Sequence, residues 1–150
     1  MVPLMTLRKS ELFEGLTDDE LTAIAKIARE ETYEAGVRIF GENEAAKNLY
    51  IVREGRVAIL IDIGRSKQTV IDTVTNGGSF GWSAIVPPYI LTGTAKAVEK
   101  SKLIAIPGQA LRELCRNNCN TCYTIMERLA TIISGRLRDT RMQLISLIYN

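Results

Sequence analysis

Two stretches of the chain have the residue types and spacing for chemistry. The first, Cys115-Arg116-Asn117-Asn118-Cys119-Asn120-Thr121-Cys122, has the pattern C-x3-C-x2-C. Thiolates so spaced can hold an iron–sulfur cluster, or zinc with a fourth ligand. The chain offers no fourth Cys and no His to close a zinc site, so neither metal nor cluster is expected. A redox-responsive thiol pair and plain apolar packing are the other accounts of Cys115, Cys119 and Cys122. The second stretch, residues 78–97, reads GSFGWSAIVPPYILTGTAKA. Its glycines, small residues and short helix-like centre over 83–86 fit a loop whose backbone amides cradle an anion. Ser83, Thr92 and Thr94 add hydroxyls. Yet the stretch holds no Arg, no carboxylate and a single Lys at position 96.

Other chemistries are poorly served. Without His, a Ser-His-Asp or Cys-His site cannot form. No paired carboxylates stand in a recognisable setting, so no enzyme is expected. A net charge of +2, from 19 Lys and Arg against 17 Asp and Glu, is too weak to draw nucleic acid or an acidic membrane by field alone. No apolar run approaches the ~20 residues of a membrane span. The opening MVPLMTLRKSELFEGL lacks the features of a secretory signal, and a cytoplasmic location is expected. Three crowded cysteines do not make a disulfide framework.

The elements that position these stretches are legible. Thr17-Asp18-Asp19-Glu20 is a capping box, and Leu21, Ile24, Ala25 and Ala28 follow at helical spacing. Ala35-Gly36 ends that region in a turn. Short β-branched runs come next, at 37–40, 49–52, 57–63, 69–74, 94–98 and 102–106, separated by turn residues. Such strands predict a small barrel or jelly roll, interrupted between Phe80 and Gly93. After Pro107-Gly108 a short helix over 109–116 precedes a long one over about 120–149. In it Met126, Ala130, Ile133, Leu137, Thr140, Leu144 and Leu147 alternate spacings of four and three, a heptad seam that favours a parallel partner helix. Ile125, Leu129, Ile132 and Leu137 form a second stripe facing the barrel. Gly135 inside this helix costs about 1 kcal/mol relative to Ala and marks a bend or a close approach. The fold class is therefore α+β in one domain, 1–150: helices over 1–32, a β-jelly-roll barrel over 33–107, and helices over 108–150 that include a dimerisation helix.

This order of elements resembles the cyclic nucleotide-binding domain of the cAMP receptor protein superfamily. The resemblance rests on Phe13-Glu14-Gly15-Leu16-Thr17-Asp18-Asp19-Glu20-Leu21, on Gly41-Glu42 with residues 49–57 (LYIVREGRV), on Phe80-Gly81 through Ala97, and on the final helix. It implies that 78–97 is a phosphate-binding cassette. Gly81, Trp82, Ser83, Ala84, Leu91, Thr92 and Thr94 are then ligand-binding positions. It also implies that Thr140 reaches over the ligand's base, although a lone Thr in an apolar seam can equally set helix register. Arg136, Arg138 and Arg141 could bring positive charge towards the pocket mouth.

The family's cassette usually carries a Glu after Phe-Gly, for the ribose hydroxyl, and an Arg ten residues after the Gly, for the cyclic phosphate. Here those positions are Trp82 and Leu91. Loss of two charge-assisted hydrogen bonds weakens cyclic nucleotide binding by roughly 3–6 kcal/mol, on the order of a hundredfold to ten-thousandfold. The expectation is a stand-alone dimeric sensor or regulatory domain that does not bind cAMP or cGMP in the usual way. It would take an unknown small anionic ligand or nucleotide, or signal to a protein partner. A docking module whose pocket Trp82 and Leu91 have filled, and a metal or redox sensor, are the alternatives. The family usually adds a helix-turn-helix after this module; none follows the long helix here, so direct DNA binding is not expected.

Overall fold

The computed structural model describes residues 1–149. Expectations for Asn150 lie outside the described residues. Three short helical pieces open the chain: α1 (Leu4–Arg8), a 3-10 turn (Glu11–Phe13) and α2 (Asp18–Ile27). The Thr17 hydroxyl accepts from the Glu20 amide at 3.2 Å while the Glu20 carboxylate accepts from the Thr17 amide at 3.0 Å. Both halves of the capping box are thus formed.

Eight antiparallel strands follow, in two four-stranded sheets. One has the order β1 (Arg29–Tyr33), β8 (Ser101–Pro107), β3 (Asn48–Glu54), β6 (Ser79–Phe80). The other has the order β2 (Arg38–Phe40), β7 (Thr94–Ala97), β4 (Val57–Gly64), β5 (Lys67–Val74). Two helices close the chain, α3 (Gly108–Asn117) and α4 (Cys119–Tyr149).

The residues expected to extend the N-terminal helices to 32 include β1. α2 stops at Ile27, Ala28 is already extended, and residues 29–33 pair with β8. The stretch REETY has the composition of a solvated helix turn. A tertiary partner overrides that preference. Its charges suit an edge strand, where they discourage further pairing.

Alternation along β3 and β8 creates two cores from one sheet. Tyr50, Val52, Leu103 and Ala105 point between the sheets and pack with Val57, Val74, Phe80 and Ala95. Leu49, Ile51, Ile104 and Ile106 point to the other face and pack with Leu7, Phe13, Leu21, Ile24, Leu111, Ile125 and Leu129. This sheet is covered on both faces, so β3 reads as a continuous apolar run. The second sheet keeps an exposed outer face along β5. Ile125, Leu129 and Ile132 of α4 are buried, as the inner stripe requires, but Leu137 is half exposed: at this level of α4 it is Arg136, not Leu137, that faces the barrel. α4 is unbroken through Gly135, and nothing lies within 4 Å of where a Cβ would stand there.

Candidate functional site

The cassette begins at a conformational constraint. Gly81 has φ 75°, and a Cβ there would lie 3.0 Å from the Asn48 carbonyl, so a side chain is both strained and crowded. The chain then makes a single 3-10 turn, Trp82–Ala84, closed by the Ala84 amide on Gly81 O (3.1 Å) and the Ile85 amide on Trp82 O (2.9 Å). The returning strand is tied to residues 43–46: the Leu91 amide donates to Glu44 O (2.9 Å) and the Asn43 amide to Leu91 O (2.8 Å). From α3, Arg112 stacks over the Tyr89 ring at 4.2 Å and donates to the Ala84 carbonyl. The cassette is thus anchored both to residues 43–46 and to α3.

In front of it lies a cavity of about 510 Å3. Phe40, Ile59, Ile61 and Ile71 make an apolar wall, with Phe80 and Leu91 beside it. Gly81, Trp82, Ser83 and Thr92 come from the cassette. Arg136, Asp139, Thr140 and Gln143 face it from α4. Their spacing, i, i+3, i+4 and i+7, is one helix face, a signal present in the sequence. A second depression of about 610 Å3, between residues 8–14 and 73–78, is lined mainly by polar groups and shares Arg136 with the first.

Six of the expected positions therefore meet: Gly81, Trp82, Ser83, Leu91, Thr92 and Thr140. Ala84 and Thr94 do not line the cavity. Ala84 is fully buried against Gly108, its carbonyl taken by Arg112. Thr94 is buried and its hydroxyl accepts from the Glu42 amide at 3.1 Å. The Thr140 hydroxyl donates to its own helix, to Arg136 O at 2.9 Å. Asp72, Asp139 and Gln143 were not expected. Asp72 arrives through the pairing of β5 with β4, which local sequence does not encode.

The charge nearest the cassette belongs to Arg136. Its guanidinium lies 4.4 Å over the Trp82 ring and donates to Ser79 O at 3.0 Å. Asp72 is 3.3 Å away and Glu11 is 3.7 Å away. Trp82 thus packs under a cation at the mouth instead of closing the cavity. Arg138 and Arg141 are exposed.

The sequence model of the cyclic nucleotide-binding domain matches residues 30–118, more than half of the chain. The chain belongs to the cyclic nucleotide-binding domain family. A solved candidate cyclic nucleotide-binding protein from Geobacter metallireducens is 32% identical, covers 91% of this chain and 99% of its own, and superposes with a TM-score of 0.82. The catabolite activator protein of Thermus thermophilus shares the fold at 24% identity and a TM-score of 0.76, over 92% of this chain and 63% of its own. A cAMP-activated global transcriptional regulator of Mycobacterium tuberculosis is 24% identical over 95% of this chain. This domain spans only 62% of that relative's length.

Within this cyclic nucleotide-binding domain two of the three cysteines, Cys115 and Cys122, meet. Cys115 is buried, Cys122 is half-buried and Cys119 is exposed. Burial, and a hydrogen bond with Cys122, push the Cys115 thiol up to about 12. A buried, protonated thiol is a poor nucleophile. Among the described residues no group of three or more Cys, Asp or Glu side chains is placed to hold a metal ion. Likewise, among the described residues no helix is long and apolar enough to cross a membrane.

Proposed function

We propose that this domain is a dimeric, small-molecule-sensing regulatory module whose pocket has diverged from cyclic nucleotides. The observation that carries the reading is an open cavity of about 510 Å3 lined on one side by the cassette. In it Trp82 and Leu91 stand where the family pattern has a carboxylate and a guanidinium. Cavities of this size with apolar walls and a few convergent polar groups are the usual form of a ligand site. A filled docking module would lack that space.

Dimerisation is supported by the far half of α4. Leu137, Leu144 and Leu147 of the seam are 49%, 55% and 78% exposed, a stripe that one barrel leaves uncovered. A ligand wedged between cassette and α4 would bear on Arg136. That side chain ties α4 to Trp82, Ser79 and Asp72, so occupancy biases how the helix sits. A protein partner would then read the state of α4.

Titration calorimetry with cAMP and cGMP, beside thermal-shift measurements on a metabolite panel, tests the reading. Neither cyclic nucleotide should bind at micromolar concentration. A low-micromolar dissociation constant for cAMP would refute the divergence.

A further inference from the structure

The charges around the cavity narrow what it can take, provided that it is a ligand site as proposed above. Its walls are apolar, and its ionisable lining is Asp72, Asp139 and Arg136. Two carboxylates against one guanidinium leave the lining at a formal −1. The guanidinium is also committed. It sits between Asp72 at 3.3 Å and Glu11 at 3.7 Å, donates to Ser79 O at 3.0 Å, and has one face on Trp82. Glu11 is itself anchored, accepting from the Ser79 amide at 3.2 Å. Asp139 forms no ion pair among the described residues and lines the rim with Gln143, one turn further along α4.

A phosphate or carboxylate entering this cavity meets no uncommitted cation. To reach Arg136 it must displace Asp72 or Glu11, and it still faces Asp139. Asp139 is exposed, so that repulsion is of the screened kind that weakens with salt. An ammonium group meets the opposite situation, with the Asp139 carboxylate and the Gln143 amide oxygen available as acceptors at the rim. We infer that the cavity selects an apolar molecule carrying a protonated amine, and rejects the isosteric carboxylate or phosphate. The sign of charge that the family's ligands carry is then the one this pocket excludes.

Three compounds of equal size and different charge test this on the intact protein: 2-phenylethylamine, 2-phenylethanol and phenylacetate. Trp82 is the chain's only tryptophan and lies on the cavity, so its emission reports occupancy. The amine should bind tightest and phenylacetate weakest, with a gap of about tenfold or more that narrows as salt rises. Asp139→Asn, at an exposed helical position, should lower amine affinity to that of the alcohol and leave the alcohol unchanged. Asp72→Asn should release Arg136 and raise phenylacetate binding. Phenylacetate binding as tightly as the amine overturns the inference. So does an Asp139→Asn protein with undiminished amine affinity, or failure of all three compounds to bind. A parallel cAMP titration separates the two levels. Carboxylate preference without cAMP binding sinks only the charge selection, whereas micromolar cAMP binding sinks the reading beneath it.

Discussion

Replacing Arg136 by Met removes the guanidinium and keeps an apolar stem to lie over Trp82. The structure sets the size of the effect. The hydrogen bond to Ser79 O joins a charged donor to a fully buried residue and contributes about 1.5 kcal/mol. The stacking of the cation on Trp82 at 4.4 Å adds about 1 kcal/mol. The Asp72 and Glu11 pairs are each more than a third exposed on the acid side, so each is discounted to about 0.5 kcal/mol or less. Arg136→Met should therefore cost about 2–3 kcal/mol. Arg136→Lys should recover less than half of that, because an ammonium cannot serve the Ser79 carbonyl, Asp72 and the indole face together. Urea denaturation followed by Trp82 emission measures both variants. Protein concentration is held constant, since the stability of an oligomer depends on it. A change below 0.5 kcal/mol for Arg136→Met would show that the contacts across the cavity mouth are incidental, and the proposed coupling of cassette to α4 would fall with them.

The Trp82→Glu, Leu91→Arg double variant restores the charged pair implied by the family cassette. Its cAMP affinity should rise on the order of a hundredfold to ten-thousandfold by calorimetry, and no gain would refute the assignment of those two positions. In Gly108→Ala the new Cβ would overlap the Ala84 carbonyl oxygen, and α3 must separate from the cassette turn. A loss of about 1–3 kcal/mol on chemical denaturation is expected. Leu144→Glu should shift sedimentation towards the monomer at concentrations where the parent chain is dimeric. Glu20 is held below the usual carboxylate range by the Thr121 hydroxyl, then by the Thr17 amide. That stabilisation is present above the ordinary carboxylate pKa and lost as pH falls through the lowered value, so Glu20→Gln should flatten the acid limb of a stability–pH profile.

Much of this architecture is written locally. The capping box at Thr17 needs only four consecutive residues, and it forms as read. The runs at 49–52 and 102–106 became β3 and β8, because alternating faces buried on both sides leave an unbroken apolar signature. β1 was hidden for the opposite reason. REETY carries no apolar alternation, and only its register with β8 makes it a strand. β6 is two residues long and exists through its pairing with Tyr50 and Ile51.

The cassette frame was readable through the resemblance of Phe80-Gly81 to Ala97, and the structure gives Gly81 its reason, a left-handed residue pressed on the Asn48 carbonyl. Whether the apolar replacements had closed the pocket was not readable, because side-chain direction depends on partners distant in the chain. Trp82 lies under Arg136, more than fifty residues later, and that guanidinium is positioned by Glu11 and Asp72 from two further elements. Composition and spacing settled which backbone would be built and which charges the cassette lacks. Tertiary packing decided where the remaining charges gather: electrostatic neighbourhoods are properties of distance in space, and folding brings residues 11, 72 and 82 each within a few ångströms of Arg136.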